Sequence, residues 1–226
     1  MASSLWLFDF DNTLARLEPA VDWAASRREL EPMLRNAGAP EPLFEQFPKG
    51  NLVLYEAYRA HLAGLVRRDG GEHNAILQRA SAIIEKFELQ GVDKAAPLDG
   101  APELLRSIAR AGNLAGIVTS NSSRTVERWL EKHSLADAVS VMVGRDSLLP
   151  LKPAPDMILE AVQRANIPAS DSGYIGDTAT DCTAAKAAHV AFYGIARSPA
   201  SREALAAAGA VDIFDSLPAL AAHRKL

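Results

Sequence analysis

From residue 100 onward the chain alternates short apolar runs with helical patterns, and few folds accept that order. Leu114 to Thr119, Val139 to Val143, Ser172 to Ile175 and Val190 to Tyr193 are runs of strand length, and residues 4–8 (Ser-Leu-Trp-Leu-Phe) add one near the N-terminus. Between them apolar residues recur at helical spacing: Leu104, Leu105 and Ile108; Val126, Trp129 and Leu130; Met157, Ile158, Ala161, Val162 and Ala165. Strands that are apolar throughout are covered on both faces, and helices of about 10–15 residues between them act as crossovers. The pattern predicts an α/β fold built on a doubly wound parallel sheet, Rossmann-like in layout.

Residues 15–96 break the rhythm. No strand pattern occurs there, but Leu52, Tyr55, Tyr58 and Leu62, then Ile76, Ala80, Ile83, Ile84 and Phe87, share helical faces. Pro32, Pro40, Pro42, Pro48 and Gly70-Gly71 punctuate the segment. It reads as a small helical bundle inserted after the first strand, with hinges at Leu14 to Leu17 and at Ala95 to Gly100. Residues 1–14 and 97–226 then form the α/β core. A length of 226 residues suits one domain carrying such an insertion, and excludes a repeat array. The alanine-rich stretch 204–210 is expected to be helical.

Composition narrows the class further. Cys182 is the only cysteine, so no intrachain disulfide and no thiol cluster for zinc can form, which fits a reducing cytoplasm. Its own role reads as packing. No stretch approaches the roughly 18–20 apolar residues of a membrane span. The N-terminal segment has no basic region, and Asp9 and Asp11 interrupt its apolar run, so no signal peptide is expected. With 24 basic and 28 acidic side chains the net charge is −4, and no Lys/Arg run exceeds a pair; a nucleic-acid partner is not expected. His61, His73, His133, His189 and His223 lack ligand spacing and read as structural or surface residues.

Four constellations fall where a doubly wound sheet puts its chemistry. Asp9-Phe10-Asp11-Asn12-Thr13 ends a strand in one carboxylate and offers another two residues on, so both can converge beyond the strand end. Gly116 to Thr119, followed by Ser120 and Asn121, ends a strand in hydroxyls at a helix start, where free N–H groups grip anions. Lys152-Pro153-Ala154-Pro155 holds one lysine rigidly before a helix. Gly176-Asp177 ends a strand, and Asp181 follows one turn into the next helix. Taken singly, each has a plainer use: a strand-end Asp is often a helix cap, and Asp181 could merely complement a helix N-terminus. Their conjunction, in this order along one sheet edge, points to a site.

The same residues resemble the haloacid dehalogenase-like (HAD) superfamily of phosphohydrolases, and the resemblance runs end to end. The DxDxT signature matches at Asp9, Asp11 and Thr13, the second-motif hydroxyl at Thr119, the lysine at Lys152, and GDxxxD at Gly176 to Asp181. Leu98-Asp99-Gly100-Ala101-Pro102 and Gly144-Arg145-Asp146 are similar to its phosphoglycolate-phosphatase-like branch, and the inserted bundle resembles that family's C1-type cap. Asn12 departs from the commoner Gly, but Asn also tolerates a left-handed backbone.

The resemblance implies a magnesium-dependent phosphatase acting on a small-molecule phosphate ester. Four clustered carboxylates, Asp9, Asp11, Asp177 and Asp181, are expected to repel one another unless a cation sits among them, and an all-oxygen set suits Mg2+. By resemblance Asp9, the Asp11 backbone carbonyl and Asp177 are metal ligands, and Asp181 holds a metal-bound water or Lys152. Asp9 is the nucleophile that forms an aspartyl phosphate, Asp11 the general acid and base, and Thr119, Ser120 and Lys152 bind the phosphate. Lys49, the only lysine before residue 86, is expected to be solvated or to touch substrate rather than to form a Schiff base, because Asp11 marks phosphate-ester chemistry. Two alternatives stand beside this: a sugar-phosphate mutase using the same phosphoaspartate, and a non-catalytic phosphate sensor, against which the Asp9/Asp11 pair speaks. Specificity is expected in the insert, with Arg16, Arg27, Arg35, Lys49 and Arg59 as the candidates.

Overall fold

The structure is a computed structural model that describes residues 4–65 and 70–226; Met1 to Ser3, part of the N-terminal reading, lie outside them. The chain order is β1 (Leu5–Phe8), α1 (Trp23–Asn36), α2 (Glu41–Gln46), α3 (Asn51–Gly64), α4 (Gly70–Gly91), α5 (Ala101–Arg110), β2 (Leu114–Val118), α6 (Ser123–Lys132), β3 (Val141–Val143), α7 (Asp156–Ala165), β4 (Ser172–Gly176), α8 (Ala179–Ala187), β5 (Ala191–Ile195), α9 (Pro199–Ala208), β6 (Asp212–Phe214) and α10 (Leu217–Arg224). All six strands are parallel, in the order β3-β2-β1-β4-β5-β6. The chain therefore builds outward one way from β1, then returns to β4 and builds outward the other way. That places a topological switch point between β1 and β4, the crevice where such sheets bind ligands.

The central strand is buried on both faces, which explains its unbroken apolar run. Leu5 and Leu7 pack into one core with Tyr174 and Cys182, while Trp6 and Phe8 pack into another with Leu105, Ile117 and Trp129. The expected alanine-rich helix is α9. Two short elements had no clear pattern: β6, three half-buried residues at the sheet edge, and α10 behind it. Such a strand carries too few residues for its period to register.

Among the described residues five helices lie between β1 and β2, the first four of them, α1 to α4, within residues 15–96. Pro32 does not end a helix there: α1 runs through it to Asn36. Leu30 and Leu34 are fully buried in the same core as Ala80 and Ile84 of α4, and that packing outweighs the roughly 3 kcal/mol cost of an interior proline. The two connectors run side by side. Ala15 bridges Pro97, the Arg16 N–H donates to the Ala96 carbonyl at 3.0 Å, and the Leu98 N–H donates to Leu14 at 2.8 Å.

Candidate active site

The site forms where three strand ends and one loop meet. β1 delivers Asp9, whose N–H continues the sheet by donating to the Ile175 carbonyl at 2.9 Å. The chain then turns sharply through Asn12 at φ 58°, a left-handed position that Asn accepts better than most residues. β2 ends at Val118 and leads directly into Thr119, and the Ser122 hydroxyl caps α6 by accepting from the Thr125 N–H. β4 ends at Gly176. A Cβ at Gly176 would lie 2.8 Å from the Asp181 carboxylate carbon, so a larger residue would evict that carboxylate.

Asp9, Asp177 and Asp181 bring carboxylate oxygens within 4.8 Å of one another. Lys152 reaches into the group: its ammonium donates to Asp9 Oδ1 and Asp181 Oδ1 at 2.6 Å each, and to the Tyr174 hydroxyl at 2.9 Å. Asp181 also completes a capping box, accepting from the Thr178 N–H at 3.1 Å while the Thr178 hydroxyl accepts from its own N–H. The helix-cap role and the site role coexist in one carboxylate, one oxygen for each.

Charge is unevenly matched here. Burial pushes the Asp9 carboxyl up to about 7, with Lys152 opposing and Asp181 adding to the rise. Asp177 is also pushed up to about 7, by burial and then by the charges of Asp9 and Asp181; Arg197, at 3.9 Å, offsets little. Burial alone would lower Lys152, but Asp181 and Asp9 hold it well above its ordinary value. Three carboxylates face one lysine. An all-oxygen cluster short of positive charge fits a hard divalent cation.

Asp11 lines the same pocket, but its carboxylate faces the connector into the insert. Oδ1 accepts from the Leu17 N–H at 2.9 Å and the Glu18 N–H at 3.0 Å, two donors that a turn leaves free. It is therefore not part of the three-carboxylate cluster. Burial raises its carboxyl above the ordinary range in spite of those bonds. Thr119 and Ser120 line the pocket with Asn121. The Thr119 hydroxyl donates to Asn121 Oδ1 and accepts from the Asn121 N–H, both at 3.1 Å. Lys49 is exposed, and Arg27, Arg35 and Arg59 bond to glutamates of the insert.

Two features escaped the sequence. Tyr174 on β4 is fully buried and links Lys152 to the Val118 carbonyl at 3.0 Å. Behind the Thr119–Ser120 loop lies a wholly buried ion pair, Arg145 with Glu88 of α4, at 2.8 Å. Arg145 also donates to the Ser120 carbonyl at 2.8 Å and to the Ser81 hydroxyl at 3.1 Å. Glu88 in turn accepts from Asn121, Ser122 and Thr125. Burial would raise the Glu88 carboxyl, but Arg145 and these donors hold it below its usual range. No local pattern marks a pair separated by 57 residues.

Fold and site together define a doubly wound α/β enzyme with an acidic, lysine-bridged centre at the sheet's switch point. A profile of the haloacid dehalogenase-like hydrolases matches residues 49–195. The chain is 28% identical over 224 residues to a phosphoglycolate phosphatase from Rhodospirillum rubrum, covering 95% of this chain and 88% of that one. It is 29% identical over 177 residues to an N-acetylmuramic acid 6-phosphate phosphatase from Pseudomonas aeruginosa, covering 77% and 74%. Its fold is similar to that of CbbY from Rhodobacter sphaeroides, solved with phosphate, at a TM-score of 0.65, 20% identity and 95% coverage of each chain. The chain belongs to the haloacid dehalogenase-like hydrolases and is a phosphatase-class enzyme of that family, similar to its phosphoglycolate phosphatases. Among the described residues no helix is long and apolar enough to cross a membrane.

Proposed function

We propose that the protein is a magnesium-dependent phosphatase that hydrolyses the phosphate monoester of a small cytoplasmic metabolite through an aspartyl phosphate. Residues 1–14 and 97–226 form the catalytic core and residues 15–96 a helical cap. The observation that carries this reading is the cluster at the switch point: three carboxylates within 4.8 Å, bridged by one lysine. Relatives named for phosphoglycolate and for N-acetylmuramic acid 6-phosphate support the substrate class, since both names are of small phosphate esters.

Asp9 and Asp177 would hold the ion, with the Asp11 carbonyl, and Asp181 would stand beside it. Bound there, magnesium supplies positive charge to the carboxylates and to the phosphate oxygens. Asp9 attacks phosphorus in line, the ester oxygen leaves, and the phosphoryl group rests on the Asp9 carboxylate. Lys152 keeps Asp9 aimed and, with the Thr119 hydroxyl and the Ser120 N–H, meets the equatorial oxygens. Asp11, whose carboxyl burial raises above its ordinary range, gives its proton to the leaving oxygen and later takes one from the attacking water. The insert excludes water until the alcohol has gone.

The test is phosphate release, with and without Mg2+, across a panel of small esters, with the organic product analysed in parallel. Free phosphate and free alcohol in equal amounts, dependent on Mg2+, are expected. An isomeric ester without free phosphate would make the enzyme a mutase, and no turnover of any ester would end the catalytic reading.

A further inference from the structure

A second cleft, of about 460 Å³, opens off the acidic pocket and shares Leu52, Ser120, Lys152 and Thr180 with it. One wall is a face of α3 made of Val53, Ala57 and Ala60, at the i, i+4, i+7 spacing of a single helix stripe. The opposite side of α3, with Leu54, Tyr55, Tyr58 and Leu62, is buried in the hydrophobic core. Phe47, Leu151 and Pro153 complete an apolar lining. Val53 is 51% exposed, and nothing in the packing of the insert calls for an apolar residue there. The two alanines recess the wall and leave room beside it.

The charged groups lining this cleft are already engaged. Glu56 accepts from Arg59 through both oxygens, at 2.8 and 2.6 Å, and from the Leu151 N–H at 3.2 Å. Lys152, the only cation among the described residues lining the cleft, is taken up by Asp9 and Asp181. Arg27, which bonds Glu31 and the Phe47 carbonyl and keeps one nitrogen, Nη1, without a partner, and Arg35, which bonds Glu31 and Glu41, are not among the residues lining the cleft. Among the described residues lining the cleft, a carboxylate on the leaving group would find no cation outside these pairs and would face Glu56. Burying it unpaired is costly, whereas an apolar group gains by leaving water.

We propose that this cleft receives the leaving group and selects phosphate esters of uncharged alcohols with an apolar face over carboxylated ones. The inference rests on the phosphatase reading and narrows it: the chain parts in substrate from relatives named for phosphoglycolate. Leu52 stands at the junction, against both the phosphate end and the alcohol end.

The probes are benzyl phosphate and phosphoglycolate, whose leaving alcohols are of broadly similar acidity. Calorimetry on Asp9→Asn, which cannot turn over, is expected to show benzyl phosphate binding roughly 10–100-fold more tightly, the scale on which apolar pockets discriminate. Wild-type kcat/KM should follow the same order. Val53→Lys, at an exposed position, should shrink the ratio by about tenfold by giving the carboxylate a partner. Equal or tighter binding of phosphoglycolate to Asp9→Asn, or a ratio that Val53→Lys leaves unchanged, overturns the inference while leaving the phosphatase reading intact. Tighter binding of benzyl phosphate without any phosphate release by the wild type would uphold the cleft and sink the phosphatase reading.

Discussion

Among the described residues two buried ionic clusters lie about one loop apart, one short of positive charge and the other balanced. At the switch point Asp9, Asp177 and Asp181 share Lys152, and burial drives Asp9 and Asp177 up to about 7. Behind the Thr119–Ser120 loop, Glu88 meets one guanidinium and three further donors, and its carboxyl is lowered. A raised carboxyl means the folded state disfavours its charge; a lowered one means the folded state favours it. The first cluster stores unfavourable charge that a ligand can relieve. The second satisfies every charge internally, and it ties a helix of the insert to the loop that carries Thr119 and Ser120. Under the proposed function, catalysis and cohesion fall to different ion groups.

The largest effect should come from breaking the unbalanced cluster. Asp9→Asn removes the proposed nucleophile and one unfavourable charge together. Turnover should fall by roughly 10⁴-fold or more, the scale seen when a catalytic group is deleted. The melting temperature should hold or rise, because the ionised form of Asp9 is what burial penalises. Phosphate-release assays and a melting curve on the same preparation check both halves. A variant that loses activity only because it unfolds would erase the contrast between the two clusters.

Breaking the balanced cluster should do the reverse. Glu88→Ala strands the fully buried Arg145 charge, which costs about 3–5 kcal/mol, or roughly 10 °C in melting temperature for a chain of this size. Replacing both partners by methionine removes the stranded charge and should recover most of that loss. Denaturant titration of the single and double variants measures it. A double variant as unstable as the single one would mean that the Arg145 bonds to Ser81 and Ser120, not the ion pair, hold the insert and loop together.

The two clusters also differ in how far the sequence reveals them. Asp9, Thr119 and Asp177 each stand at or next to a strand end, and a parallel sheet sends all such ends to one edge. Their convergence follows from topology alone, so it was legible once the alternation was recognised. The direction of the Asp11 carboxylate was not, because it depends on which free N–H groups the connector presents. Tyr174 looked like one more apolar strand residue. Glu88 sits on a helix where an acid reads as a solvated face, and Arg145 follows a glycine in a loop. Only tertiary packing brings them together, and packing between distant segments leaves no period in either one.

The smallest effect, and the sharpest on charge balance, is the acid response of Glu88→Gln. The amide keeps the size and much of the hydrogen bonding of the carboxyl but not its charge. Glu88 has a folded pKa below its ordinary 4.5, so its ionisation contributes stability that is fully present above the unfolded value. That contribution is lost as pH falls through the lower folded value. The stability gap between the wild type and Glu88→Gln should therefore be constant from neutral pH down to about 5 and should close below 4.5. It should not move near pH 7, where Asp9 and Asp177 titrate in both proteins alike. Unfolding free energies measured at half-unit steps of pH test this. A gap that closes near 7 instead would mean that the two clusters titrate as one unit, and that the loop between them transmits charge as well as position.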